Sequence, residues 1–391
     1  MRFIIVIILT IAIGITGYFA YQKYNNPNTT DIEKINEVTI YNSSKSEFDL
    51  EIEQIKSIQK DPKDINNLQY YGWIPDWGMQ SGLDTLKNNP HITSISPFWF
   101  DLNEDGSLKT NPYTNWSVLL NYTKQNNIDL VPAITSFERD KLTKVLNSKE
   151  NSQRFISEVM TNVLNYGYDG IDLDFEHVYV NDHKVLLDLV ETLNNELKRN
   201  NKQLHLSLLA KWGDNFPYGQ TKAALDYPKL AELADKIKIQ GYGYSIAQDP
   251  LGPVGPLAWL EDVIRYSIKI GIPREKIVLG IHTYTIDWSI KDSIRYDLDY
   301  FGEQFFIGYT GGDGVAYYGD GLVKLFNNYV VEEEYVDTWG EVIGKYNFNG
   351  QIRAAVFPSN KSIEVRKQLA AEYGINGIAY WKLGGEGNLK L

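Results

Sequence analysis

Short apolar runs alternate with amphipathic stretches along this 391-residue chain, from residue 68 to its end. Runs of this length are typical of buried strands, and the stretches between them have the apolar spacing of helices that pack on a sheet. The alternation repeats about eight times, which predicts an α/β fold with right-handed crossovers, the closed (β/α)8 TIM barrel. An open doubly wound sheet remains the alternative. The candidate strands are 68–73, 92–98, 129–134, 170–176, 203–209, 236–242, 276–282 and 377–382.

The segment 68–391 is longer than the ~250 residues typical of such a barrel. The surplus lies between the seventh and eighth candidate strands, where Gly-rich and Tyr-rich runs such as YTGGDGVAYYGDG occur. We therefore expect one domain over 68–391, with a small α+β insertion at about 290–350.

Residues 3–21, FIIVIILTIAIGITGYFAY, are uncharged and close to the ~20 residues that cross a bilayer as a helix. We expect a transmembrane signal anchor at 1–22, because the small residues of a signal-peptide cleavage site are poorly placed. Arg2 favours an extracytoplasmic position for the bulk of the chain. Secretion after cleavage is the alternative. Residues 23–67 are rich in Asn, Lys, Ser and Glu, which predicts a polar tether with a short helix at 48–59.

Composition excludes several classes of site. The chain has no cysteine, so disulfides, thiolate nucleophiles and thiolate metal sites are absent. Its 38 basic and 50 acidic residues give a net charge of −12, which disfavours a nucleic-acid partner. The five histidines form no close metal-binding pair and no phosphate-binding glycine motif is present, so neither metal nor cofactor is predicted.

The stretch 170–176, GIDLDFE, places Asp172, Asp174 and Glu176 on one face of a strand and apolar residues on the other. If the apolar face packs on helices, the three acids converge inside the barrel and end at its C-terminal mouth, where barrel enzymes keep their active sites. Such crowding raises the pKa of at least one carboxyl group, as a proton donor near neutral pH requires. The alternation of acidic and apolar residues by itself also fits two other structures, an edge strand with a solvated acidic face and a calcium site.

The full string YGYDGIDLDFEHV resembles the signature of glycoside hydrolase family 18, the chitinases and related N-acetylglucosaminidases. Four further stretches resemble the bacterial branch with the spore-germination and cortex-lytic glucosaminidases, and they occur in the family's order over 68–391. They are YGWIPDW, SPFWFDLNEDGSL, IVLGIHTYTIDW and GINGIAYWKLGGE.

The resemblance implies a hydrolase of β-1,4-linked N-acetylglucosamine-containing glycan, chitin-like or of the peptidoglycan type, which the expected N-terminal anchor would tether to a membrane. Its mechanism is retaining and substrate-assisted: the acetamido oxygen of the sugar attacks the anomeric carbon. Glu176 is implied as the acid/base, Asp174 as the group that orients the acetamido group, and Asp172 as the residue that holds Asp174. A non-catalytic, lectin-like protein on the same barrel is the alternative, although such proteins usually lose the acid at the Glu176 position.

The family also has a Met-x-Tyr at its sixth strand, which corresponds to KIKIQGYGYS in this chain. Tyr242 is then the tyrosine that contacts the acetamide, and Gln240 takes the place of the Met. Gly243 follows where an acidic or amide residue is common, which leaves part of that contact in doubt. Trp381 matches the tryptophan under the sugar at the cleavage point. Further substrate-binding candidates near strand ends are Trp99, Trp212 and Trp288, for each of which core packing is the alternative, and Tyr284, which follows the seventh strand.

Overall fold

Eight parallel strands close into a barrel in this computed structural model. The structure describes residues 47–111, 116–214, 219–247, 249–290, 292–298, 303–309, 315–317 and 327–391. Around the barrel the order is β1, β2, β5, β6, β7, β8, β9 and β17, and β1 pairs with both β2 and β17. This closure confirms the TIM barrel and excludes the open sheet. In chain order the strands are β1 (Gln69–Ile74), β2 (Ile92–Leu102), β3 (Leu108–Thr110), β4 (Asp129–Leu130), β5 (Ala133–Ser136), β6 (Gly170–Phe175), β7 (Gln203–Leu209), β8 (Lys236–Gln240), β9 (Ile277–His282), β10 (Thr285–Ser289), β11 (Asp292–Leu298), β12 (Glu303–Tyr309), β13 (Val315–Tyr317), β14 (Glu332–Val336), β15 (Glu341–Phe348), β16 (Gln351–Phe357) and β17 (Gly377–Trp381).

Helices connect the barrel strands and carry local signals at their ends. The Ser148 hydroxyl caps the helix Lys149–Tyr166 by accepting a 3.2 Å hydrogen bond from the Asn151 amide, and Gly167 ends that helix at φ +69°, a left-handed conformation suited to glycine. The helix His183–Arg199 buries leucines spaced three and four residues apart, as a helix packed on a barrel must. The helices are α1 (Glu47–Lys56), α2 (Met79–Asn88), α3 (Trp116–Asn126), α4 (Arg139–Leu146), α5 (Lys149–Tyr166), α6 (His183–Arg199), α7 (Gln220–Ala224), α8 (Tyr227–Leu233), α9 (Leu257–Lys269) and α10 (Asn360–Glu372).

The apolar core has an outer and an inner part. The outer part lies between the barrel and its helices and includes Ile171 and Leu173 of β6. The inner part lies within the barrel and is largely aromatic, with Tyr71, Trp73 and Phe98 as its largest buried members. Because aromatic rings fill the interior, the polar groups that enter it from the strands are removed from bulk water.

The segment between β9 and β17 forms an antiparallel sheet in the order β13, β10, β16, β15, β14, and β11 pairs separately with β12. The sequence predicts an α+β insertion at about 290–350, whereas this sheet already begins at Thr285 and runs to Phe357. A third apolar cluster, with Trp288 and Trp339, packs beneath this sheet and against the loop after β8. The extra sheet therefore lies over one side of the barrel mouth.

The N-terminal expectations meet the structure only in part. The predicted membrane-spanning residues 3–21 and the tether up to residue 46 lie outside the described residues. Among the residues that are described, no helix is both long enough and apolar enough to cross a membrane. Residues 51–67, which their polar composition assigns to the tether, instead pack on the barrel: Ile55 is fully buried, and the amides of Asp61 and Lys63 donate to the carbonyls of Glu372 and Ala371 at 3.1 and 3.0 Å.

Candidate active site

The acidic strand β6 lies in the middle of the barrel sheet, paired with β5 on one side and β7 on the other. Asp172 and Asp174 are buried, with 0% and 2% exposure, while Ile171, Leu173 and Phe175 pack in the outer core. Two-sided pairing and this burial rule out a solvated edge strand.

Glu176 follows β6 and is half-buried at the C-terminal mouth of the barrel, where it lines a cleft of about 880 Å³. Strand alternation thus accounts for the relative positions of the three acids: two lie beneath the cleft and one opens into it.

Asp172 is held by three side chains from other strands. Its Oδ1 accepts a 2.9 Å hydrogen bond from Ser207 Oγ, and its Oδ2 accepts bonds from Trp73 Nε1 at 3.2 Å and Lys238 Nζ at 2.9 Å. Asp172 and Lys238 are both completely buried, so their ion pair is shielded from water. Together the three donors fix the orientation of the Asp172 side chain.

The amide of Gln240 joins the other two acids. Its Nε2 donates to Asp174 Oδ1 at 3.2 Å and to Glu176 Oε1 at 3.0 Å. Burial raises the pKa of Asp174 well above its usual range, and the nearby carboxyl groups of Glu176 and Asp172 raise it further, with a smaller opposing effect from Lys238. Asp174 is therefore the carboxyl group of this site that is disposed to retain a proton.

Aromatic rings form the wall beside the acids. Trp381, at the end of β17, lies almost parallel to the ring of Tyr242, with centroids 6.4 Å apart and planes at 20°. Tyr242 also contacts Trp73 and Tyr284 edge to face at 6.5 and 6.4 Å. Tyr244, two residues later, packs instead against Trp259. The geometry thus brings Tyr242, rather than Tyr244, next to Trp381.

The cleft extends from Glu176, Gln240 and Tyr242 towards Trp212 and Tyr284, both of which line it. Gly243 also lines the cleft and adopts φ +74°. Because glycine has no side chain, only backbone atoms form that part of the cleft wall. The carboxylate of Asp249 accepts a 3.0 Å hydrogen bond from the Ile246 amide and so braces the loop that forms the far wall.

Two predicted sugar platforms are wrong. Trp99 is completely buried in the outer core, 5.5 Å from the ring of Tyr168. The pairing of β2 with β5 shifts register between Phe98 and Phe100, so alternation fails there and Trp99 lies on the helix side of the barrel. Trp288 is also fully buried, under the inserted sheet, and its Nε1 donates to the Asp249 carbonyl at 3.1 Å.

Sequence reasoning missed three residues that surround Asp172, namely Lys238, Ser207 and Trp73. Each lies on a predicted strand, and Lys238 has the same parity as Gln240, which was already expected to face inward. The alternation in KIKIQ and in QLHLSLL could therefore have identified Lys238 and Ser207. A lysine inside a barrel is unusual enough that parity alone did not suggest it.

Comparisons with known proteins agree with this geometry. The family profile described as glycosyl hydrolases family 18 matches residues 19–386. The cortical fragment-lytic enzyme of Bacillus subtilis (strain 168) is 26% identical over 302 residues, which are 76% of this chain and 65% of that enzyme. This chain thus matches just under two thirds of that relative's length.

Solved structures share the fold. The spore cortex-lytic enzyme SleL of Bacillus megaterium QM B1551 has a TM-score of 0.71 at 20% identity, covering 84% of this chain and 72% of that one. A chitinase from Chromobacterium violaceum ATCC 12472 has a TM-score of 0.71 at 18% identity, over 82% and 96% of the two chains. The cortex-lytic relatives support the bacterial branch that the sequence motifs resemble. The profile match over most of its length shows that this chain belongs to glycosyl hydrolase family 18.

Proposed function

We propose that this protein hydrolyses β-1,4-linked N-acetylglucosamine-containing glycan with retention of configuration and with assistance from the substrate's own acetamido group. The observation that carries the proposal is the linkage of Asp174 and Glu176 by the Gln240 amide at the floor of the cleft. One carboxyl group there opens into the cleft, and a second, with a raised pKa, lies directly beneath it.

In the first step Glu176 donates its proton to the glycosidic oxygen. The acetamido oxygen of the bound sugar attacks the anomeric carbon as the bond to the leaving sugar breaks, and a cyclic oxazolinium ion forms. No protein nucleophile is needed, which distinguishes this route from the scheme with two catalytic carboxylates. Asp174 orients the acetamido group and stabilises the positive charge, while Asp172 holds Asp174 in place.

In the second step Glu176, now a carboxylate, accepts a proton from water as the water oxygen attacks the anomeric carbon. The ring of the intermediate opens, the acetamido group is regenerated, and the product leaves with its original configuration. Two displacements at one carbon account for the retention.

Aromatic side chains would hold the sugar in this reaction. Trp381 offers the face of its ring under the sugar at the cleavage point, and the hydroxyl group of Tyr242 would contact the acetamide. Trp212 and Tyr284 line the same cleft and would contact neighbouring sugars. Because Gly243 supplies no side chain, the acetamide contact rests on Tyr242 and Asp174 alone at that end.

The relatives favour two substrate classes, since some are named as cortex-lytic enzymes and others as chitinases. Incubation with chitooligosaccharides, peptidoglycan and a deacetylated glycan side by side separates the possibilities. We expect product release from an N-acetylated glycan, none from the deacetylated one, and the retained anomer in early NMR spectra. Binding without product release from all three would instead support the lectin-like alternative. An inverted product would refute the assisted mechanism.

We also propose that residues 1–22 anchor the protein in a membrane, that residues 23–46 form a polar tether, and that the barrel lies outside the cytoplasm. The support is the uncharged run at 3–21. Membrane fractionation followed by external protease tests the topology. We expect the barrel to sediment with membranes and to be digested from outside. Barrel protein that is protected would contradict the topology, and release of a shortened soluble form would indicate signal cleavage.

A further inference from the structure

A buried lysine lies beneath the acids and takes no part in the steps above. Lys238 is on β8, between Ile237 and Ile239, which face the outer core. Its ammonium group is completely buried and donates to Asp172 Oδ2 at 2.9 Å and to Ser96 Oγ at 2.7 Å. The same nitrogen lies 5.7 and 5.6 Å from the ring centres of Tyr71 and Trp73.

Burial of an ammonium group costs several kcal/mol unless a charge partner and hydrogen bonds compensate for it. Burial lowers the pKa of Lys238 below its ordinary value, and the adjacent Asp172 offsets part of that fall. An apolar side chain could fill the same interior at no such cost. The presence of a cation at this depth therefore points to a role in the charge balance of the acids.

We propose that Lys238 is a positioning residue that fixes Asp172 as a carboxylate and thereby confines the exchangeable proton of the site to Asp174 and Glu176. This inference rests on the proposed function, in which Glu176 gives up a proton and takes one back. With Asp172 held by a cation, a proton cannot move inward to it. The inner acid then serves as a fixed negative charge beneath Asp174.

The other titratable groups around Lys238 and Asp172 are compatible with an ion pair between these two side chains. His205 of β7 is buried and neutral, because burial and Lys238 both lower its pKa. Burial raises the pKa of Tyr71 to about 12, so this phenol stays neutral as well. Lys238 is thus the buried cation that contacts Asp172 directly. The other charged groups that act on these residues are Asp174 and Glu176 on the acidic segment, Lys236 on β8 and Asp129 on β4.

The test is Lys238→Met in the full chain, which keeps the length of the side chain and removes its charge. Loss of a nearby positive charge raises the proton affinity of carboxyl groups. We therefore expect both limbs of the kcat/KM–pH profile to move to higher pH, by about 1 unit. Ser96→Ala is the matched control, because it removes the other hydrogen-bond partner of Lys238 without changing any charge. Limbs that stay at their wild-type positions in Lys238→Met would overturn the proposal.

A second readout does not depend on turnover. If the carboxyl groups around the lost charge hold their protons more tightly in folded Lys238→Met, the folded state binds more protons than the unfolded state above the ordinary pKa of aspartate. Its stability deficit relative to wild type then widens as the pH rises from about 4 to 7. A deficit that is the same at every pH means that Lys238 has a packing role only, and contradicts the proposal. A wild-type protein without hydrolytic activity would refute the proposed function while leaving this thermal measurement valid.

If Lys238→Met does not fold, the double variant Lys238→Met/Asp172→Asn replaces the unpaired buried charge with a neutral pair. Recovery of folded protein in the double variant supports the coupling of Lys238 to Asp172. Failure of the double variant to fold contradicts it, because the loss would then not arise from the uncompensated carboxylate.

Discussion

Two of the buried charge clusters in the described part of the chain differ in how completely their acids are neutralised. The barrel cluster consists of Asp172, Asp174 and Lys238. The clamp cluster consists of Glu341 on β15 and Arg366 on α10. Glu341 accepts hydrogen bonds from the amides of Val254 and Gly255, at 2.9 and 2.8 Å, and from Arg366 at 2.9 Å.

The clamp cluster joins three parts of the fold. Arg366 also donates to the carbonyls of Gly255 and Gly340, at 2.6 and 2.7 Å. The loop that carries the far wall of the cleft is thereby tied to the inserted sheet and to the last barrel helix. Donors surround the carboxylate, and its charge is balanced by an arginine that stays protonated at any ordinary pH. The clamp cluster therefore holds the loop of the far cleft wall in place.

The barrel cluster is balanced less evenly. Asp172 has a cation and two further donors, whereas Asp174 accepts a 3.2 Å bond from an amide and faces two other carboxyl groups. The comparison distinguishes two kinds of buried acid. An acid whose oxygens are saturated with hydrogen-bond donors has a structural role, whereas acids that are crowded around one proton belong to the reactive site. Each prediction below tests that distinction, from the largest expected effect to the smallest.

Glu341→Gln should strongly destabilise the protein, because it leaves the buried Arg366 without its counter-charge. We expect the free energy of unfolding to fall by about 3–5 kcal/mol, measured by denaturant titration. The control is Asp337→Asn, which removes the partner of Lys361 in an exposed ion pair and should cause no measurable change. A clamp variant as stable as wild type would show that this cluster does not hold the loop.

Asp174→Asn should leave the fold intact and reduce kcat by about 10²–10³-fold, because an amide can neither give up the proton that Asp174 retains at rest nor carry negative charge beside the oxazolinium ion. The matched control is Asp169→Asn. Asp169 precedes the same strand, and its Oδ2 accepts a 2.8 Å hydrogen bond from the Leu130 amide, outside the cleft. Turnover of the control should stay close to wild type. Equal losses in both variants would mean that the strand is merely sensitive to substitution.

The same Asp174→Asn variant should also change how stability depends on pH. The pKa of Asp174 is raised on folding, so the folded protein holds a proton that the unfolded chain releases above about pH 4. Wild-type stability should therefore fall as the pH rises from there towards the raised pKa, by up to about 1.4 kcal/mol per pH unit more than in the variant. Thermal unfolding across this range measures the difference, and parallel curves would contradict the assignment.

Trp212→Ala should have the smallest effect, a rise in KM of about 2- to 10-fold on longer oligomers with kcat little changed. The ring lines the cleft away from the acids and supplies contact area to a neighbouring sugar. Trp212→Phe retains an aromatic face and should recover most of the affinity. A fall in kcat without a change in KM would contradict this role.

The fold was largely predictable because each barrel strand is buried on both faces, which gives compact apolar runs. The strand predicted at 203–209 is β7, and the acids of β6 lie inside the barrel where alternation places them. Alternation assumes regular pairing, however. At Phe98 the register shifts, and the same rule then misplaced Trp99.

The inserted sheet was harder to predict, since antiparallel strands that pair within an insertion have no barrel periodicity to constrain them. Trp288 follows β9 closely and resembles a residue of the barrel mouth, yet it starts a separate core. Lys238 was missed for the opposite reason. Its parity was correct, but a charged residue in a barrel interior conflicts with composition rules unless its partner on β6 is considered at the same time.

The most direct test of the catalytic centre is the turnover of Glu176→Gln on the glycan that wild type cleaves. Glutamine keeps the size of the side chain but cannot donate the proton that the leaving sugar requires. We predict a loss of hydrolysis of at least about 10²–10⁴-fold, with the unfolding midpoint and oligosaccharide affinity close to wild type. Turnover at the wild-type rate in this variant would contradict the assignment of Glu176 as the acid.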